Sequence, residues 1–470
     1  MKKILKKTSI LVLLWGVLCL SFSLRGQAGV LETYVQEGLR NSLALKQENL
    51  EIEKAIEGIN LARALFYPRV QFAPTYSLAA GGRRLQFPVG DLLNPVYSTL
   101  NQITQTGKFP QIRNVDEQLA PNNFHDTKLS VQLSIYNPEL KYTYLIQKQL
   151  VSVQEAKKKV LENEIRHNIE TAYYQYLQTT EVLKVYENAR KTLNELLRLN
   201  QKLVNNQVAT KEVVAAAEYE ISKLNQQVAV MNKNRNVAKS YLNYLINGTV
   251  APNSQTLTSA PLEVDFTKGE LKNSLDRAML HQQTSATDGA PREAVGAVVL
   301  QLDRAIDVSK SAVLLQEKAA KLPSVFVGGN AGFQGFGYTF SNQAYAVAQF
   351  GLSWDLFKGY ERKSKIRQAK IQTEILQTKK SEVERQLDLQ ATQAFLELGA
   401  TRENLSLTAD AQTKAEAYFK VIDSKYKNGS LLFIEWLKAQ NEVTAAQLQR
   451  PLAQFDVLIK KSFLDKILAQ

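Results

Sequence analysis

The sequence has a single cysteine, Cys19, only three histidines, and neither proline nor glycine between Glu139 and Asn247. Each scarcity excludes something. Cys19 lies in the opening segment 1–28, so a chain that loses that segment has no disulfide in any compartment. His125, His167 and His281 are far apart, and no carboxylate or cysteine stands at ligand spacing from another ligand. No metal centre, cofactor site or nucleophile–base pair is therefore expected, and the chain is not read as an enzyme. Gly328-Gly329-Asn330-Ala331-Gly332 lacks the following helix and lysine that a phosphate cradle requires.

Charge of one sign is also scarcer than the total suggests. The formal charge is +13, but segment 1–28 holds four lysines and Arg25 and no acid, so its removal leaves +8. Lysine and arginine alternate with glutamate and aspartate, and no basic stripe carries stacking aromatics, so no nucleic-acid partner is expected.

The chain opens on Lys2, Lys3, Lys6 and Lys7, followed by an apolar run from Ile10 to Phe22 and the small residues Gly26 and Ala28. That is a secretory signal cut near Ala28; the run is short for a membrane span. Leu18 is bulky where a lipid-anchored cysteine is preceded by a small residue, which argues against lipidation of Cys19.

Two long blocks lack helix breakers almost entirely. One is the stretch from Glu139 to Asn247; in the other, from Tyr360 to Arg450, only Gly399 and Gly429 intervene. Both blocks are rich in strong helix formers and carry apolar residues at helical spacing, as in Ile366, Ala369, Ile371, Ile375 and Leu376. Long helices are expected over 138–205 and 357–428, with shorter ones at 31–66, 208–246, 298–321 and 430–468. In the first half the two short spans together match the long one, as a tube wall of short helices stacked beside a long one would require.

The two halves repeat each other. LARALFYPRVQFAPTYSL (61–78) parallels QEKAAKLPSVFVGG (316–329), and LSVQLSIYNPELKYTYLIQ (129–147) parallels FGLSWDLFKGYERKSKIRQ (350–368). Asn206 and Asn428, Ala217 and Ala439, and Leu242 and Leu464 are pairs of identical residues at one and the same offset. Expected segments are a signal at 1–28 and a first repeat at 29–247 with strands at 68–78 and 127–137. A joining segment at 248–297 precedes a second repeat at 298–470 with strands at 323–333 and 344–356. Residues 79–126 are read as a long external loop.

The strands alternate strictly. Leu129, Val131, Leu133 and Ile135 share one face, and Lys128, Ser130, Gln132 and Ser134 the other. This is the pattern of a transmembrane β-barrel strand, and equally of an antiparallel sheet with one wet face. In lipid, four strands cannot close a barrel and open edges are costly, so a membrane reading requires several copies, three of which give twelve strands and a lumen.

In that order and duplication, the residues resemble the TolC-like outer-membrane efflux proteins of Gram-negative bacteria. LETYVQEGLRNSLALKQENLEIEKAIEGINLARALFYPRVQF is similar to the family's first helix and strand. Phe357-Lys358-Gly359 matches a recurrent Phe-x-Gly, and SKYKNGSLLFIEWLKAQNEV resembles the signature at the periplasmic tip. The resemblance implies a mostly α fold with a membrane β part. Long coiled-coil hairpins form a periplasmic tunnel, and four transmembrane strands per protomer complete a trimeric twelve-stranded barrel.

It further implies a passive exit duct for efflux or type I secretion, with outer-membrane lipid around the barrel. Its other partners are a periplasmic adaptor and an inner-membrane pump of RND or ABC type. The adaptor would dock at two hairpin tips, Asn205, Asn206, Gln207 and Val208, and Tyr426, Lys427, Asn428, Gly429, Ser430 and Leu431. Of the family's two acidic entrance positions, the first falls on Glu435 and the second on Lys438, so the double acidic ring is reduced to Glu435, which otherwise reads as a solvated helix residue. The competing function is a secreted periplasmic coiled-coil adaptor or scaffold. An adaptor would show one helical hairpin between lipoyl-like β segments, whereas here two hairpins each carry a strand pair.

Overall fold

The computed structural model describes residues 29–246, 274–276, 278 and 296–469. The signal segment with Cys19, His281 and nearly all of the joining segment lie outside the described residues. The chain divides into two compact units: Ala55–Leu150 with Asp307–Glu374, and Met1–Lys54 with Val151–Ile306 and Ile375–Gln470.

The first of these units holds all the strands among the described residues. β1 (Arg69–Ser77), β4 (Phe124–Tyr136), β5 (Ser324–Phe336) and β6 (Ala344–Ser353) form an antiparallel sheet in the order β1-β4-β5-β6. The β4–β5 pairing therefore joins the two halves of the chain. Register fixes the faces, because residues directly opposite in an antiparallel pair point the same way. Val70 and Phe72 stand with Val131 and Leu129, and Phe350 with Val327, all on one face. Gln71, Ser130 and Asn330 share the other, as do Gln132 and Gly328, which in turn pairs with Gln349. Side chains on the apolar face are exposed, Phe350 by 80% and Phe72 by 67%. Two sheet glycines stand where a side chain would collide across the strands. A Cβ on Gly351 would meet the ring of Phe326 directly across the pair, and one on Gly332 would meet the backbone of Thr127. β6 ends at Ser353 rather than at 356, and β4 begins at Phe124 rather than at 127.

The stretch read as a long external loop is built. It holds β2 (Arg84–Phe87), α3 (Val89–Thr104) and β3 (Val115–Gln118), with β2 and β3 paired in a separate two-stranded sheet. Pro95 lies inside α3, and proline inside a run argues against helix; side-chain hydrogen bonds from the helix to the strand-like run after it override that propensity.

The other unit is helical. The expected helix at 31–66 is two, α1 (Val30–Asn41) and α2 (Leu43–Ala64), separated by Ser42. Ser42 is extended and its Oγ accepts the amide of Leu45 at 3.2 Å, so it ends one helix and caps the next. The remaining helices are α4 (Pro138–Asn205), α5 (Glu212–Leu245), α6 (Ala297–Lys318), α7 (Glu361–Lys427) and α8 (Phe433–Ala469). Val35, Ile169, Tyr173, Leu242, Leu398 and Phe455 bring α1, α4, α5, α7 and α8 into one core. No helix among the described residues is long and apolar enough to cross a membrane, which says nothing of a β-barrel.

Candidate functional site

The two helical hairpins α4–α5 and α7–α8 turn through the same hydrogen bonds. After α4, the Val208 amide donates to Leu203 O (2.9 Å) and the Gln207 amide to Val204 O (3.0 Å). After α7, Ser430 N donates to Lys425 O (2.9 Å) and Gly429 N to Tyr426 O (2.9 Å). Both are Schellman endings, and every donor and acceptor stands from its counterpart at the offset that separates Asn206 from Asn428. The left-handed residue is Gly429 (φ 74°) in one and Gln207 (φ 61°) in the other. The first reversal therefore rests on Gln207, not on Asn205 or Asn206.

Behind the turns, the hairpins pack through Leu193, Leu196, Leu224, Ile422, Tyr426 and Trp436. Trp436 is 1% exposed; its ring meets Phe419 edge-on at 5.4 Å, and its Nε1 donates to Asp423 Oδ1 at 2.9 Å. Asp423 also pairs with Lys427 at 2.6 Å. The Tyr426 hydroxyl donates to Asn200 Oδ1 at 2.7 Å, and Asn200 Nδ2 donates to Val213 O at 3.1 Å. A fully buried asparagine thus ties α4 to both α5 and α7 with its donor and acceptor both used. Burial pushes the Tyr426 hydroxyl above its ordinary pKa.

Of the residues read as tip contacts, Asn205, Asn206, Gln207, Val208, Lys427, Asn428, Gly429 and Ser430 are exposed, and Leu431 is half-buried. Tyr426 is buried and committed to Asn200, so it holds the tip together and offers no docking surface. Glu435 lies exposed in the first turn of α8, where a carboxylate complements the helix dipole. Lys438 is exposed 4.0 Å from Glu442. Glu435 and Lys438 border one open groove with Ile434, Leu437, Asn441 and Ala445.

Asn200 and Asp423 escape a motif search. Asn200 does leave a trace: it is the polar residue on the stripe of Ala189, Leu193 and Leu196. Among the described residues, no three histidine, cysteine, aspartate or glutamate side chains gather as metal ligands.

This arrangement of a two-faced sheet and paired helical hairpins is the fold of a known class of membrane channel. The chain superposes on CusC with a TM-score of 0.69 at 13% identity, covering 95% of each chain. VceC of Vibrio cholerae gives 0.66 at 14% identity, covering 93% of this chain and 96% of that one. The open state of the Neisseria gonorrhoeae MtrE outer membrane channel gives 0.66 at 13%, covering 93% and 88%. At such identities the likeness establishes the fold, that of the outer-membrane channels. Residues 307–470 match the family model of the outer membrane efflux protein. No curated protein matches the chain.

Proposed function

We propose that the chain is the outer-membrane exit duct of a tripartite efflux or type I secretion system, a passive conduit from periplasm to exterior. The observation that carries this reading is the sheet, with one exposed apolar face, one polar face and, among the described residues, no strand beyond either edge. Lipid tolerates the apolar face but not unpaired edge backbone, which costs several kcal/mol per group. Four strands are too few to close, whereas three copies supply twelve and leave a lumen lined by Gln71, Ser130, Gln132, Asn330 and Gln349. Such a lining lets solutes pass without chemistry.

In this reading 1–28 is a cleaved signal, 29–247 and 298–470 are repeats, and 248–297 joins them. The hairpin tips, from Asn205 to Val208 and from Lys427 to Leu431, meet the hairpin of a periplasmic adaptor that links the duct to an inner-membrane pump of RND or ABC type. Glu435 and Lys438 stand at the periplasmic entrance. Membrane fractionation with chemical crosslinking tests the assignment. Expected are recovery in the outer membrane and a ladder ending at three copies; a soluble monomer would contradict it.

A further inference from the structure

The lobe between β1 and β4 contains a helix that is amphipathic the wrong way round. In α3, Asp91, Asn94, Ser98 and Asn101 recur at helical spacing on one face. That polar face is bonded to the lobe's own chain. Asn94 exchanges two hydrogen bonds with the backbone of Ile112 (2.9 and 2.8 Å), and Asn101 two with that of Phe109 (2.6 and 3.0 Å). Asn114 donates to Asp91 Oδ2 at 2.8 Å and accepts the Asp91 amide at 3.0 Å, while Gln111 donates to Ser98 Oγ at 3.1 Å. The helix lies so close to this run that a Cβ on Gly90 would stand 2.5 Å from Ile112 O. The opposite face carries Leu92, Val96 and Ile103, exposed by 70%, 52% and 73%. An ordinary surface helix buries its apolar stripe and wets its polar one; here the polar stripe is used up and the apolar stripe is left for another body.

We propose that this body is a second copy of the chain: the α3 helices of neighbouring copies pack through Leu92, Val96 and Ile103 into a cap across the outer mouth of the barrel. The inference rests on the exit-duct reading. The lobe grows from β1, an edge strand of the open sheet, so it stands where one copy must meet the next. It emerges where β1 ends at Ser77 opposite Phe124, the end of the β1–β4 pair away from the flanking helices α2 and α4. All lobes therefore gather at one end of one barrel. Length fits as well. Sixteen residues span about 24 Å at 1.5 Å each, and twelve strands spaced about 4.8 Å and tilted about 40° enclose a barrel about 24 Å across. A membrane surface fits less well, because helices that lie on lipid present lysine and arginine on a free polar face. The only charged residue of α3 is Asp91, and its polar face is occupied.

Cysteine crosslinking tests the cap, since Cys19 is the only native cysteine. Val96→Cys and Ile103→Cys lie on the apolar stripe, and Gln102→Cys on the wet side of the same helix serves as control. In outer membranes treated with a short bis-maleimide, covalent multimers are expected from the first two and not from the third. The native mass of each extracted variant is measured in parallel. Three copies with no crosslink, or with equal crosslinking at Gln102→Cys, would overturn the cap and leave the duct standing. A single-copy mass would overturn both. Bimane on Val96→Cys quenched by nitroxide lipid would place α3 on the membrane and also overturn the cap.

Discussion

The two hairpin tips turn through the same hydrogen bonds with different residues. The second has glycine at its left-handed position and gathers Tyr426, Phe433 and Trp436 behind it; the first has Gln207 there and contributes leucines and Asn200. Backbone geometry has thus been kept across the repeat while the packing has been divided. One tip supplies the aromatic mass, and the other the aliphatic bed and the buried amide that receives the Tyr426 hydroxyl. Neither hairpin end is complete alone.

Substitutions in both tips break or sharpen that comparison. Trp436→Ala removes the largest fully buried side chain among the described residues and is expected to cost about 3–5 kcal/mol, read as a fall in melting temperature of the detergent-solubilised protein. Val214, its counterpart in the first repeat, is not so enclosed, so Val214→Ala should cost far less.

Asn200→Ala strands the buried Tyr426 hydroxyl and frees Val213 O, at about 1–3 kcal/mol. Tyr426→Phe should cost less, and the double variant less than the two added, because both act on one hydrogen bond. Additive losses in thermal melts would show that the bond does not couple the hairpins.

Exchanging the turn residues isolates the backbone. Gly429→Ala forces a side chain into φ 74° and should cost about 1–2 kcal/mol. Gln207→Gly should instead stabilise by about 0.5 kcal/mol, relief of the left-handed conformation outweighing the looser unfolded chain. Stability changes of the same sign at both positions would contradict the equivalence of the turns.

The smallest effect lies behind α1, where Ser462 Oγ donates to Glu170 Oε2 at 2.6 Å and accepts from His167 Nδ1 at 2.9 Å. Burial raises the Glu170 carboxyl above its usual 4.5 and lowers the His167 imidazole. A raised acid contributes stability below its unfolded value, and that contribution is lost as pH rises through the folded value. Glu170→Gln should therefore melt with the parent below about pH 4.5 and slightly above it at pH 8, since glutamine still accepts from Ser462. A gap that widens toward acid would reverse the sign.

Much of this architecture was legible in the sequence because it rests on periodicity and on breakers. The long helices stand out by the absence of proline and glycine, and the strands by strict alternation from Lys128 to Ile135. The repeat shows in the spacing of Asn206 and Asn428. What escaped rests on side-chain hydrogen bonds that no period announces. Ser42 divides the first helix by capping, Asn94 and Asn101 hold α3 together despite Pro95, and Asn200 spends both its amide atoms inside the tip. Tyr426 was legible as a motif residue, but only burial separates a latch from a docking surface. The exposed Glu435 and Lys438 were read by position, and their neighbours in the groove follow only from the fold.

The central claim is that the sheet separates lipid from a watery lumen. Cysteine scanning along β4 tests it most directly, from Lys128 to Leu133, in intact outer membranes. Gln132, Ser130 and Lys128 should react with a membrane-impermeant maleimide, while bimane at Leu133, Val131 and Leu129 should be quenched by nitroxide lipid, with a period of two. Uniform labelling of both faces from water would contradict the account.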